Sequence, residues 1–186
     1  MSIDIRNLSW EVGNKSIIEN ISLTINRGEI ITILGPNGAG KSSFLRLISG
    51  DLKGSKGEIF FDESNLDEIS IQDRSFMRSV MSQSQEIVYD FSVKEIIEMG
   101  WIERGISTYS GDFEEAVNRI SLDCSVNDLL EQSFNTLSGG EKRRVHFART
   151  LVQLWRPSGS DDPRYMFLDE PTANLDILHE QKMMKL

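Results

Sequence analysis

The chain has 186 residues, of which 39% are hydrophobic, and is long enough for one domain with a sizeable core. Its formal net charge of −9 argues against a sequence-independent nucleic-acid binder, which needs clustered Lys and Arg side chains. Its single cysteine, Cys124, excludes an intramolecular disulfide, and no apolar run approaches the ~20 residues that cross a bilayer.

Residues 2–34 alternate apolar and polar side chains, with two turn-like breaks between the runs. This pattern predicts an antiparallel β-layer that leads into a strand over residues 30–34, IITIL. A further strand is expected over residues 57–61. Trp10 precedes the first break. Because large aromatic side chains are usually buried, a core position is favoured for its ring over an exposed stacking platform.

The sequence GPNGAGKSS, residues 35–43, follows the IITIL run and opens an apolar helical run, FLRLIS. Glycines let the backbone bend tightly and bring its N–H groups close to an anion. The pattern G-x4-G-K-S indicates a loop for a nucleoside triphosphate, in which Lys41 adds a positive charge and Ser42 is placed to bind Mg²⁺. The alternative is a glycine-rich turn before an ordinary helix, and the strand before and helix after favour the phosphate loop.

The middle of the chain changes from strand to helix. Residues 79–83, SVMSQ, predict an apolar strand that ends in polar residues. Ser92 and Glu95 form a capping box. A second helix is predicted behind Asp112 by the shared face of Phe113, Ala116, Val117 and Ile120. We expect an acidic helical subdomain here, whose charge is a solvated face or, alternatively, a surface for a basic partner.

A longer helix is predicted in NTLSGGEKRRVHFARTLVQLW, where apolar residues repeat at helical spacing: Val145, Ala148, Val152 and Trp155. Ser138, Gly139 and Gly140 occupy its start. A helix start with a hydroxyl and two glycines is a possible second phosphate site, because the macrodipole places partial positive charge there. Taken alone, a plain serine cap explains the same residues.

In YMFLDE an apolar strand ends in two carboxylates, Asp169 and Glu170. Near a phosphate loop, one carboxylate suits Mg²⁺ and the other suits the activation of water. A charged turn is the alternative, and the phosphate loop already present favours the functional interpretation.

Taken in order, GPNGAGKSS, Gln83, LSGGE, FLDEP and NLD resemble the ATP-binding subunits of ABC transporters, with LSGGE as the most specific motif. The resemblance covers essentially the whole chain. It implies an α/β fold: a P-loop NTPase core with an N-terminal antiparallel β-layer and an inserted helical subdomain. Residues 1–186 would form a single ABC ATPase domain, with the β-layer and nucleotide core in 1–85 and 160–186 and the helical, signature-bearing subdomain in 86–159.

The resemblance also implies a role for each motif residue, with ATP and Mg²⁺ as cofactors. Trp10 would stack on adenine, which reverses the preference for burial. The phosphate loop would comprise Gly35, Pro36, Asn37, Gly38, Ala39, Gly40, Lys41, Ser42 and Ser43. The Mg²⁺ contacts would come from Ser42, Gln83 and Asp169. Glu170 would be the general base, assisted by Lys41 and by Gln83, which links the attacking water to the helical subdomain.

The remaining motifs imply partners. Ser138, Gly139 and Gly140 would contact the γ-phosphate of ATP bound to a second copy, so the resemblance implies a head-to-tail dimer with two ATPs between subunits. Asp176 would lie in the loop that crosses this dimer interface. Membrane permease subunits, and indirectly a substrate-binding protein, would be further partners, without nucleic acid. Because the start lacks a secretion signal, we expect a peripheral protein on the cytoplasmic side of the membrane.

Within the family, the long stretch between Leu137 and Asp169, which contains QLWRPSGSDDPRY, resembles haem importer ATPases. Ferric siderophore and vitamin B12 importer ATPases are the alternatives. Neither His146, inside the signature helix, nor His179, in the tail, is expected to bind haem. The family continues past residue 186 with a strand and a switch histidine. We therefore expect a truncated chain with a gap in its parallel sheet, and a remnant that binds nucleotide without hydrolysing it is a further alternative.

Overall fold

The computed structural model describes residues 2–83, 87–101 and 112–186. The chain packs into two compact units, Met1–Arg74 and Ser75–Leu186. No helix in the described ranges is long and apolar enough to cross a membrane.

The first unit is built on an antiparallel sheet of order β2-β1-β3-β4. Its strands are β1 (Ser2–Val12), β2 (Lys15–Asn26), β3 (Lys56–Phe61) and β4 (Ser64–Asn65). The alternation predicted from the sequence is confirmed, because Ile3 and Ile5 of β1 are buried and pair with Ile25 and Leu23 of β2. The predicted strand at residues 57–61 is confirmed as β3.

Helix α1 (Lys41–Ile48) follows the glycine-rich loop. It buries Phe44, Leu47 and Ile48, which lie at i, i+3 and i+4 and so share one face. The apolar run after the loop is therefore a helix, as the sequence predicted.

The predicted strand over residues 30–34 is wrong. In the described part of the chain these residues pair with no strand, and Ile30 and Leu34 are 86% and 87% exposed. An apolar run indicates that a segment favours burial, but a strand also needs a neighbour for its N–H and C=O groups. The sheet of the first unit ends at β2 and β4, and residues 30–34 extend neither edge.

The second unit contains one parallel pair, β5 (Arg78–Met81) with β6 (Tyr165–Leu168), and a helical core. Helix α2 (Ile71–Met77) crosses the boundary between the units. The other helices are α3 (Val93–Glu98), α4 (Phe113–Asp123), α5 (Gly139–Gln153) and α6 (Ile177–Met183). Both predicted apolar strands, before Gln83 and before Asp169, are thus confirmed.

The predicted helical signals of this unit are also confirmed. Ser92 and Glu95 form a capping box at the start of α3, and Asp112 precedes α4. The core lies around α5, which buries Val145, Ala148 and Val152. Helix α5 ends at Gln153, so Trp155 lies beyond the helix, where its ring packs 6.0 Å from that of Trp101.

Cys124 lies in this core, only 5% exposed, and burial raises the pKa of its thiol to about 12. Since the thiolate is the reactive form, this shift lowers its population at a given pH by ~10³-fold relative to an unfolded cysteine. We expect iodoacetamide to label the native chain at pH 8 far more slowly than the chain in guanidinium, as measured by mass spectrometry. Equal labelling rates in both conditions would show that Cys124 is not held in a stable core.

Candidate functional site

The loop of residues 35–43 is shaped by two glycines with positive φ, Gly38 at 79° and Gly40 at 88°. Gly40 is the N-cap of α1 and has no side chain with which to cap the helix. The first N–H groups of α1 therefore stay available to an anion, and the macrodipole adds partial positive charge.

The Lys41 ammonium binds the backbone at the start of this loop. Its Nζ donates hydrogen bonds to the carbonyl oxygens of Gly35 and Pro36 at 2.8 and 2.9 Å. These bonds hold a positive charge over the same turn that carries the helix N-terminus. Ser42 is exposed in the first turn of α1, with Ser43 half-buried beside it. Asn37 and Ala39 are exposed in the loop. The first unit thus combines a lysine, a hydroxyl and free N–H groups, which suits a phosphate chain.

Trp10 lies in β1 and is half-buried. It is the cross-strand partner of Ile18 in β2. A Cβ added to Gly40 would lie 3.3 Å from Cδ1 of Ile18, so Ile18 packs directly against the last glycine of the loop. Trp10 therefore lies one strand away from the phosphate loop. The stacking of its ring on adenine stays a prediction.

The second unit brings Gln83, Asp169 and Glu170 together. Parallel pairing places Met81 opposite Leu168, so both strands end at the same edge. The Asp169 N–H continues the ladder with a 2.9 Å bond to the Met81 carbonyl. Just beyond it, Gln83 Nε2 donates to Glu170 Oε2 at 2.9 Å. An exposed carboxylate and an exposed carboxamide thus meet at the carboxyl edge of this pair.

Arg143, which the sequence reasoning missed, binds the backbone behind this pair. Its Nε donates to the Pro171 carbonyl at 3.1 Å. Nη1 donates to the carbonyls of Ser82 and Gln83 at 3.1 and 3.0 Å. Nη2 donates to the carbonyl of Asp169 at 2.6 Å and to that of Glu170. One side chain of α5 therefore fastens both loops that carry the candidate catalytic residues.

Arg143 is buried, with 8% of the residue exposed. Burial lowers the pKa of Arg143, and the nearby charges of Asp169 and Glu170 oppose that shift. A guanidinium starts from so high a pKa that it stays charged at neutral pH. One sequence signal could have identified Arg143. It lies four residues before Phe147, on the same buried face of the helix, and a charge on a buried face requires partners.

Ser138 is the N-cap of α5 and forms a capping box with Glu141. Its Oγ accepts from the Glu141 N–H at 3.3 Å, and its own N–H donates to Glu141 Oε2 at 2.8 Å. The hydrogen bonds from the side chain and backbone of Ser138 hold the pKa of Glu141 below its usual value. The plain capping role of Ser138 is therefore confirmed, and its contact with a phosphate stays a prediction.

The start of α5 also lies beside the loop that precedes α6. A Cβ on Gly140 would lie 3.1 Å from the Asn174 carbonyl, and Gly139 lies close to the Asn174 side chain. Two residues later, Asp176 caps α6 by accepting from the His179 N–H at 2.9 Å, and the same carboxylate contacts His179 Nδ1. Hydrogen bonds from the backbone and then the side chain of His179 lower the pKa of Asp176. His179 is therefore engaged with Asp176.

The three side chains proposed to contact Mg²⁺ supply the types of oxygen ligand that this ion prefers. Mg²⁺ prefers carboxylate, carbonyl and hydroxyl oxygens, and it usually retains several waters rather than a complete protein cage. Asp169 supplies a carboxylate, Gln83 a carbonyl oxygen and Ser42 a hydroxyl. Among the residues that the structure describes, no group of three His, Cys, Asp or Glu side chains could hold a metal ion alone.

A glycine-rich loop that opens a helix, with a carboxylate pair at the end of a parallel strand, defines a nucleotide-binding protein of the P-loop class. Residues 18–173 match the family model described as ABC transporter. The chain belongs to the ABC transporter family, which confirms the resemblance seen in its motifs.

The chain is similar along nearly its whole length to curated members of this family. It is 42% identical over 184 residues to the hemin import ATP-binding protein HmuV of Escherichia coli O157:H7, covering 99% of this chain and 70% of the relative. It is 35% identical over 179 residues to HmuV of Rhodopseudomonas palustris strain HaA2, covering 96% and 67%. A third HmuV, from strain BisB18, is covered over 65% of its length. The chain is thus shorter than these relatives, spanning about two thirds of their length.

Solved structures confirm the predicted α/β fold of ABC ATPases. A solved structure of the ATP binding subunit of an ABC transporter superposes with a TM-score of 0.83 at 18% identity, over 100% of this chain and 72% of that one. The structure of cbiO1 from Clostridium perfringens, part of the ABC transporter complex cbiONQ, gives a TM-score of 0.77 at 27% identity, over 98% and 70%.

Substitutions at two glycines of the loop distinguish the cost of backbone strain from the cost of steric contact. Gly38 has positive φ and open space around its Cα, whereas a Cβ on Gly40 would also meet Ile17 and Ile18 at 3.1 to 3.3 Å. We expect Gly38→Ala to lower the free energy of unfolding by about 1 kcal/mol. Gly40→Ala should cost about 1–3 kcal/mol more through overpacking. Urea unfolding followed by circular dichroism measures both, and equal losses would contradict the close contact with β2.

Proposed function

We propose that this chain is the ATP-binding subunit of an ABC importer, which binds and hydrolyses ATP to drive transport. The observation that carries the proposal is the 2.9 Å hydrogen bond between Gln83 and Glu170 at the carboxyl edge of β5 and β6. This bond joins Glu170, the candidate base, to Gln83. The family resemblance implies that Gln83 links hydrolysis to the helical subdomain. The family and the ATP-binding relatives support this assignment.

On this proposal each unit supplies a part of the reaction. In the first, Lys41 and the N–H groups at the start of α1 bind the phosphates and stabilise charge that develops on the γ-phosphoryl group. In the second, Glu170 accepts the proton of the attacking water while Gln83 orients it. Asp169 and Ser42 would hold Mg²⁺, which supplies charge neutralisation at the phosphates when bound.

Partners and cargo are proposed from the relatives. The chain would work as a head-to-tail dimer, in which Ser138, Gly139 and Gly140 bind the γ-phosphate held by the second copy. The dimer would lie on the cytoplasmic side of the membrane against permease subunits, which receive cargo from a substrate-binding protein. The HmuV relatives support hemin as the cargo, and ferric siderophores and vitamin B12 are the alternatives. His146 is buried against Phe134, which supports the view that this subunit does not bind haem itself.

Glu170→Gln tests the chemical step. We expect ATP turnover to fall on the order of 10²-fold or more while ATP affinity is retained, because the amide binds water but takes no proton. Lys41→Ala should instead weaken ATP binding. Turnover by phosphate release and affinity by a fluorescent ATP analogue separate the two effects. Glu131→Gln, which alters another exposed carboxylate of the same unit, is the control. Unchanged turnover in Glu170→Gln would overturn the assignment of the base.

A second candidate function is nucleotide binding without hydrolysis. The exposure of Ile30 and Leu34, directly before the phosphate loop, favours it, since the segment that presents the loop has no strand partner among the described residues. The same assays decide between the two functions. ATP binding by the 186-residue chain without Lys41-dependent turnover would support this second function.

Cargo is tested in vesicles that contain a candidate permease that binds this chain, with the ATPase subunit and ATP enclosed in the lumen and the cargo outside. If hemin is the cargo, ATP-driven uptake of hemin should exceed uptake of a ferric siderophore or of cobalamin, and Glu170→Gln should abolish it. Radiolabelled or absorbing cargo in the vesicle lumen gives the measurement. Preferential uptake of cobalamin or of the siderophore would assign the corresponding alternative.

A further inference from the structure

Arg143 occupies a position at which each of its hydrogen-bond donors has a backbone acceptor. A guanidinium has five N–H groups and no acceptor. The five carbonyls that it contacts belong to Ser82, Gln83, Asp169, Glu170 and Pro171. Two of these residues directly follow β5 and three directly follow β6. The side chain thus fastens together two segments that are 86 or more residues apart in the sequence.

No other residue type can reproduce this set of contacts. A lysine in the same place has three donors on one nitrogen, so at least two of the five carbonyls would lose their partner. A glutamine has two donors. A carbonyl that loses its charged donor must find water or another donor, so the two loops would move. The planar fork of arginine therefore bridges the two loops with a set of donors that neither lysine nor glutamine has.

The hydrogen bond from Arg143 to the Glu170 carbonyl matters because the backbone of Glu170 is strained. Its φ is +48°, in the left-handed region that residues with a Cβ rarely adopt. Such a conformation persists where surrounding contacts hold it in place. Arg143 binds the carbonyl of Glu170 and those on either side of it. The direction in which the Glu170 carboxylate leaves the loop, toward Gln83, therefore depends on Arg143.

We propose that Arg143 is the positioning residue that holds Glu170 and Gln83 in register for the attack of water. On this proposal it acts through the backbone of both loops rather than on the reacting atoms. This inference rests on the proposed ATPase function, because it assigns a role in that reaction.

The test compares Arg143→Lys and Arg143→Gln with Gln153→Leu in the full chain. Gln153 is the matched control because it ties the same helix to the opposite end of the same strand: its Nε2 donates to the carbonyls of Ser75 and Arg78 at 2.8 and 2.9 Å. We expect kcat to fall by about 10- to 100-fold in both Arg143 variants, with KM for ATP within about 2-fold, since misplacing reacting groups slows the chemical step. Gln153→Leu should lower thermal stability with kcat within about 2-fold of wild type.

Hydrogen exchange without nucleotide gives a second readout. The Asp169 N–H bonds to the Met81 carbonyl and the Ala173 N–H to the Glu170 carbonyl, so both report on the fastened loops. In the Arg143 variants these two amides should exchange at least about 10-fold faster, while amides at the start of the β5–β6 ladder change little. Gln153→Leu should give the reverse pattern.

The two readouts separate this inference from the proposed function. If the wild-type chain hydrolyses ATP and both Arg143 variants keep wild-type kcat and exchange, the role of Arg143 is overturned alone. If wild type shows no Lys41-dependent turnover, the proposed function is overturned, and exchange still decides whether Arg143 holds the loops. A loss of kcat in Gln153→Leu equal to that in the Arg143 variants would show general destabilisation instead, and would also overturn the inference.

Discussion

The parallel pairing of β5 with β6 is the constraint on which the site of the second unit depends. Parallel strands end at one edge, so two segments from distant parts of the chain deliver Gln83 and Glu170 to the same place. A pair of four-residue strands is short, and the pairing gains support from side chains of α5 at both ends: Gln153 at the start of β5 and Arg143 beyond its end. Helix α5 therefore contacts the backbone near both ends of β5.

Helix α5 joins three features within its first two turns. Ser138 and Glu141 close its N-terminus, Gly140 lies against the loop before Asp176, and Arg143 binds the loops of Gln83 and Glu170. A helix is stiff over this length, so a displacement at its start also displaces the guanidinium five residues later. In the proposed dimer the start of α5 contacts the nucleotide of the second copy. The same helix would then link that contact to the base of its own subunit.

Much of this arrangement could be predicted because its causes are local. The capping boxes at Ser92 and Ser138, the positive φ at Gly40 and the polar ends of the two apolar strands each follow from a few adjacent residues. The strand over residues 30–34 could not be judged in this way, because pairing depends on a neighbour that hydrophobicity does not reveal. Arg143 was missed for a related reason: its five partners are backbone carbonyls, which any sequence presents, and the register of β5 and β6 alone brings them together.

Gly40 and Glu170 both adopt the left-handed backbone conformation, but for different reasons. Both residues have positive φ, and both stand where the chain must turn sharply beside a functional group. At residue 40 the backbone itself binds the ligand on the proposed mechanism, so glycine is sufficient and removes the strain. At residue 170 the side chain is the reactive group, so glycine is excluded and the strain must be offset from outside. The buried guanidinium provides that support through the carbonyls on both sides of the strained residue, where a charged donor forms stronger hydrogen bonds than a neutral one. On this argument, the buried charge of Arg143 is explained by the backbone conformation of Glu170, the residue proposed to activate water.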